Sequence, residues 1–512
     1  MNTKIKPYLP AILAFLFSCF SFFSEAENKL NSDTGFIQSE IIYQDCWSAE
    51  LIRAKAKCGL LSVPANYDKY QQPIRWISFS ILPALNGAKS KLSQPVLFLI
   101  GGPGPSGTLE STPAFLKGQP GEFLRLNRDL IIVDYRGVGM SKPFLGCELP
   151  AGPNDIKPCA DSYEVSGLDE SEVRSAVFAK DADRLVETLG YESVVIYGAS
   201  YGVRLALTMM REVPQRISHV VLDGIFPPEV NGLSEGAWPV LAGLRKIVTR
   251  CQENKECQSA FGDLNDKVET LAAQWSTQKN VAELLIGLSR FAYHPASPLL
   301  VETLVSMPPV ESAKLMERLA SVRYNNNFEY RGKNSARPEA ETPSEYSVSI
   351  PMSLAVMCSE EAAFIHSQPF DQDRHGFSPD LNKLLYGISV GSPIPPAMVV
   401  EICKKMPVSA AQSVEIKPVK SEIKTLLLSG GMDMQTSFEW GELVAKNLPN
   451  SQHYIFPYSD HVVFFTNACS RSIAKQFIAF PDLKIDSSCF EEEKHDFIFK
   501  AENIEDKFFI PE

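Results

Sequence analysis

Six short runs along this chain are apolar at nearly every position and meet glycine, proline or an acidic residue at or just beyond their ends: 95–99, 130–133, 193–197, 219–222, 425–428 and 454–457. A strand with one wet face would alternate, whereas a run without alternation fits a strand buried on both faces of a mostly parallel sheet. Helix-like runs at 203–210 and 438–447 separate pairs of these strands. Such crossovers return each strand parallel to the last and gather the loops after the strands at one edge of the sheet. A second group of helix-like runs, 238–251, 265–275 and 310–323, falls between the strand ending at Asp223 and the one beginning near Lys424, together with a polar stretch at 325–344 and a proline-rich one at 392–396. The pattern predicts an α/β core of residues 27–228 and 416–512, interrupted by a mostly helical insertion of residues 229–415 that covers the loop edge as a lid. No internal repeat is present.

Chemistry enters at the loop edge. The run 193–197 is followed by Gly198-Ala199-Ser200-Tyr201-Gly202 and then by a helix-like run, the arrangement of a nucleophile elbow with Ser200 as nucleophile. Glycine at both flanks permits a sharp turn and close backbone approach, and the start of a helix favours developing negative charge. Spacing alone is a weak signal for this motif, so its partners decide. Asp433 follows the run 425–428 and His461 follows 454–457, giving the chain order Ser, Asp, His. His461 is the expected general base and Asp433 the carboxylate that fixes its tautomer. Asp223, at the end of 219–222, is the rival carboxylate, and Asp460 is expected to be a solvated loop charge. The loop Gly101-Gly102-Pro103-Gly104-Pro105-Ser106-Gly107 precedes the elbow by about a hundred residues, where an oxyanion loop would lie. The N–H groups of Gly102 and Tyr201 are the expected donors.

These pieces, with the Asp134-Tyr135-Arg136-Gly137 turn, the Cys58–Pro64 segment, Tyr67 and Val221-Leu222-Asp223-Gly224, resemble the prolyl and tripeptidyl aminopeptidase family of α/β-hydrolase serine peptidases. The resemblance runs from about Cys46 to Cys489, whose tail is similar to that of the tripeptidyl branch. It implies an α/β-hydrolase fold, a peptide substrate, release of residues from a free N-terminus and no cofactor. Ile100 stands where prolyl members usually carry histidine before the Gly-Gly-Pro-Gly loop, which leans toward the tripeptidyl branch. An aminopeptidase must bind an α-ammonium, and Glu360 and Glu361, beside Cys358, are the candidate carboxylates. Asp134 and Arg136 are expected to pair locally. A carboxylesterase or lipase would use the same triad, and a hydrolase-fold binding protein without catalysis is the remaining alternative.

Composition narrows the setting. Residues 1–26 carry Lys4 and Lys6, an apolar stretch at 9–23 and small residues before a cleavage point, which is the form of a signal peptide and too short for a membrane span. Export to periplasm or medium follows, with lipid attachment at Cys19 as the alternative. The other ten cysteines are an even number, as in a disulfide framework; sequential pairing suits their spacing, and connectivity stays open. No Cys-x-x-Cys or histidine cluster is present, so no metal is expected. A net charge of −12 and no basic patch argue against nucleic acid.

Overall fold

The computed structural model describes residues 39–69, 72–87, 94–111, 115–116, 119–147, 157–278, 280–289, 291, 294, 296–319, 346–365, 377–385, 396–492 and 497–500. The signal segment, Cys19, the stretch 325–344 and residues 392–395 lie outside the described residues.

Nine strands form one sheet: β1 (Ile41–Gln44), β2 (Lys57–Pro64), β3 (Ile74–Leu82), β4 (Val96–Leu99), β5 (Leu130–Val133), β6 (Val194–Ala199), β7 (Ile217–Asp223), β8 (Thr425–Gly430) and β9 (Ser451–Phe456). Their order is β1-β2-β3-β5-β4-β6-β7-β8-β9. The pairs from β5 through β9 are parallel, while β1, β2 and β3 add an antiparallel wing. All six apolar runs are strands of the parallel part. The wing was not expected; its longest member, β3, alternates serine with large apolar residues between Trp76 and Ile81.

Burial on both faces explains why the parallel strands lack alternation. Leu97, Leu99, Ile196, Val220, Leu222 and Leu427 join one apolar cluster, with the helices Ser175–Thr188 and Tyr201–Glu212. Their neighbours Val96, Phe98, Val195, Tyr197, Val221, Leu426 and Leu428 join another, closed by the helix Ala468–Ala479 through Ile473 and Phe477.

Among the described residues between β7 and β8, the named elements are helical. The helices Ala237–Gln252, Leu264–Trp275, Val281–Ser289 and Ser297–Ser306 bury a third cluster around Trp275, whose indole N–H donates to Ser312 Oγ at 2.9 Å. The helix Ile350–Glu360 departs from the expected single lid: Met352, Leu354 and Val356 pack into the sheet's own cluster. Trp275 is fully buried, so Trp275→Ala is expected to destabilise by about 3–5 kcal/mol through lost burial and the cavity left behind, read as a lower denaturant midpoint.

Ten cysteines pair in sequence as Cys46–Cys58, Cys147–Cys159, Cys251–Cys257, Cys358–Cys403 and Cys469–Cys489. Such a framework fits an oxidising compartment. Among the described residues, no helix is long and apolar enough to cross a membrane.

Candidate active site

Ser200 ends the turn between β6 and the helix Tyr201–Glu212, with φ 56° and ψ −121°. This is sparsely populated backbone, which persists only where surroundings over-determine it. Three contacts do so. The Ser200 N–H donates to the Asp223 carbonyl at 2.9 Å. A Cβ on Gly202 would lie 2.0 Å from the Leu99 carbonyl oxygen, and one on Gly198 would lie 2.6 Å from that of Gly202. Only glycine lets the new helix approach β4 this closely.

The loop after β4 lies directly against the nucleophile: a Cβ on Gly101 would meet the Ser200 Cβ at 2.8 Å. Gly102 has φ 124°, a conformation suited to glycine. Tyr201 is the first residue of its helix, so its N–H has no intrahelical acceptor and is available to a developing oxyanion.

The loops after β8 and β9 bring Asp433 and His461 together. Asp433 Oδ2 lies 2.7 Å from His461 Nδ1. Its Oδ1 accepts the N–H groups of Gln435 and Thr436, both at 2.8 Å, which fixes the carboxylate's plane. Thr436 Oγ1 donates to Asp433 Oδ2 at 2.6 Å and stands 3.1 Å from His461 Nδ1. Thr436 was not among the expected residues; its only sequence signal is a hydroxyl three positions beyond an aspartate, a common turn spacing. With Nδ1 held by Asp433, Nε2 is the nitrogen left to exchange a proton.

Burial pulls the His461 imidazolium down, but the charge and hydrogen bond of Asp433, with the charges of Asp460 and Asp223, outweigh it and hold the group above its usual value. A general base must be neutral, so the acidic limb of a kcat/KM profile is expected above the ordinary histidine value of about 6.5, with activity rising as pH rises through it. A pH–rate profile checks this.

Asp223, the rival acid, has its carboxylate engaged by other donors. Its carboxylate accepts the N–H groups of Val463 at 2.9 Å and Phe464 at 3.0 Å, and the Tyr197 hydroxyl at 2.7 Å. It thereby holds the turn that follows His461, where Val462 has φ 57°. Burial pushes its carboxyl up to about 6, against the opposing hydrogen bonds from Tyr197, Phe464 and Val463.

Two local expectations are corrected. Asp134 and Arg136 do not pair. Asp134 accepts from Ser78 Oγ (2.6 Å), Ser106 Oγ (2.8 Å), Thr108 Oγ1 (2.5 Å) and Thr108 N (3.1 Å), tying the loop after β4 to β3. Arg136 instead reaches Asp181 at 2.8 Å and Glu172 at 2.9 Å. Two residues apart on a turn, the side chains diverge and meet different elements.

Glu360 and Glu361 are both buried and face inward. Glu361 Oε1 accepts from Arg204 Nη1 at 3.0 Å, and Glu360 Oε2 lies 3.5 Å from the same nitrogen. Glu360 also accepts the Ser175 N–H at 2.6 Å and the Ser175 hydroxyl at 3.0 Å, capping a helix that has no cap from its own side chain. Burial raises the Glu361 carboxyl despite Arg204. Arg204, buried one turn beyond Ser200, was also unanticipated. Among the described residues, no group of three His, Cys, Asp or Glu is placed to hold a metal ion.

Two stretches of the chain match known families. Residues 94–260 match the model of the alpha/beta hydrolase fold, and residues 396–489 match that of TAP-like protein. The chain has an α/β-hydrolase fold with a TAP-like C-terminal stretch. It is similar to serine protease Hip1 of Mycobacterium tuberculosis, 27% identical over 214 residues that cover 37% of this chain and 38% of that protein. It is also similar to proline iminopeptidase of Neisseria meningitidis, 29% identical over 144 residues that cover 28% of this chain and 36% of that protein. The chain thus spans well under half the length of these relatives.

Proposed function

We propose that this protein is an exported serine aminopeptidase that cleaves peptides near a free N-terminus through Ser200, His461 and Asp433. The observation that carries the proposal is the 2.7 Å Asp433–His461 contact at the sheet edge that also bears the strained Ser200 turn. The relatives named a protease and an iminopeptidase favour peptides as substrates. The leader-like residues 1–26 and the five disulfides favour export.

Ser200 Oγ attacks the scissile carbonyl carbon while its proton passes to His461 Nε2. The carbonyl oxygen becomes an anion facing the N–H groups of Gly102 and Tyr201. The C–N bond then breaks, the leaving amine takes the proton from His461, and the acyl group stays on Ser200. Water attacks that ester with His461 again accepting a proton, which returns to Ser200 Oγ as the acid leaves. Asp433 fixes the tautomer throughout and stabilises the imidazolium. The insertion between β7 and β8 acts as the lid in which peptide length is selected. With Glu360 and Glu361 committed to Arg204, their role is to hold the helix behind the nucleophile, and an ammonium would reach them only by displacing that arginine.

The test is a panel of free and N-acetylated aminoacyl, prolyl and tripeptidyl amides beside short-chain p-nitrophenyl esters, assayed with wild type and Ser200→Ala. Cleavage of free amides only, lost in the variant, is the expected result. Ester turnover without amide cleavage would replace the peptidase assignment by an esterase.

A further inference from the structure

The oxyanion loop is held from two sides. From the sheet side Asp134 grips Ser106 and Thr108. From the other side comes a segment about 245 residues later in the chain, Ser347-Val348-Ser349 and the helix Ile350–Glu360 that it opens. The Ser106 N–H donates to the Ser347 carbonyl at 2.8 Å, and the Ser349 N–H donates to the Gly104 carbonyl at 2.9 Å. Pro105 and Val348 face one another as an antiparallel bridge between these bonds. Ser349 caps the helix by accepting the Met352 N–H at 3.2 Å, and its hydroxyl donates to the Leu145 carbonyl at 2.6 Å. One turn on, the Ser353 hydroxyl donates to the Pro103 carbonyl at 2.6 Å. Gly104, at φ 114°, has no room for a side chain there: its Cβ would fall 2.0 Å from Ser353 Oγ.

The other end of the same helix reaches the second donor. Glu360 accepts from both the N–H and the hydroxyl of Ser175, and Ser175 Oγ lies 2.8 Å from the Tyr201 hydroxyl. One helix therefore contacts the loop that carries Gly102 and, through Ser175, the residue that carries the other N–H. Backbone donors act only if their direction is set before charge develops.

We propose that the helix Ile350–Glu360 is the positioning element of the oxyanion hole and that Ser353 is a positioning residue, orienting the Gly102–Gly104 backbone through the Pro103 carbonyl. This rests on the triad function proposed above. Because the helix belongs to the stretch between β7 and β8, the oxyanion hole is completed by a segment outside the strand-loop framework that bears the triad. Substrate contacts made in that stretch can thus be felt at the reacting carbonyl.

The experiment compares wild type, Ser353→Ala and Ser353→Thr in kcat, KM, thermal midpoint and inhibition by a peptide boronic acid, which forms a tetrahedral adduct on the nucleophile. A merely structural serine would change the thermal midpoint without selectively weakening a transition-state mimic. The expected result for Ser353→Ala is a fall in kcat of about tenfold, well short of deleting a donor outright. KM should stay within about twofold, the boronate should weaken by the same factor as kcat, and threonine, which keeps the hydroxyl, should restore most of the loss. An unchanged kcat overturns the proposal, as does a kcat loss with unaltered boronate inhibition. If the alanine variant does not fold, Ser353→Cys, similar in size but a weak donor, is held to the same criteria. Failure of the triad function looks different: wild type itself then neither turns over the panel nor binds the boronate, and the positioning role falls with it.

Discussion

In Ser200→Ala protein, kcat for amide cleavage is expected to fall by about 10⁶-fold, the largest effect predicted for a single substitution here. The hydroxyl is the only atom group lost, and the backbone asks no more of alanine than of serine, since both carry a Cβ at φ 56°. The thermal midpoint should therefore stay close to that of wild type. Peptide affinity, measured by calorimetry on the inert variant, should persist, because the substitution removes only the hydroxyl and leaves the proposed lid and oxyanion donors unchanged. Substantial residual turnover that scales with the variant's own concentration would place the chemistry elsewhere.

Asp433→Asn carries the second large expectation, a loss of about 10⁴-fold in kcat. An amide at this position keeps the shape but presents either a neutral oxygen or an N–H to His461 Nδ1, so the tautomer with an acceptor at Nε2 is no longer enforced. The shift in His461 should change as well. Its elevation depends first on the charge of Asp433 overcoming burial, so the acidic limb of the residual activity should move to lower pH. Asp223→Asn leaves the Asp433–His461 bond in place and is expected to lose far less. Equal losses in the two variants would return Asp223 to candidacy as the triad acid.

Strands β4 to β9 were visible because each is short, apolar on both faces and punctuated by turn residues. The candidate triad was read from them: once the strands are drawn parallel, Ser200, Asp433 and His461 all fall just beyond carboxyl ends. The antiparallel wing was harder to see, since β1 has four residues and exposes Ile42 and Tyr43. Contacts between distant residues were not legible at all. Nothing near Glu360 or Glu361 hints that their counter-charge is Arg204, 157 positions from Glu361. Adjacency misled for Asp134 and Arg136, where a turn sends neighbours to opposite partners. Thr436 escaped notice because a threonine becomes informative only when the imidazole beside it can be seen.

Asp223 gives the molecule a common fate for shape and activity. Its carbonyl holds the Ser200 amide while its carboxylate holds the turn after His461, so a single residue at the tip of β7 is bolted to both halves of the reactive pair. Neither half can drift independently by local fraying of its loop. Heating should therefore not produce a long-lived, folded but inactive form, and the temperatures at which hydrolysis and near-ultraviolet dichroism disappear should coincide.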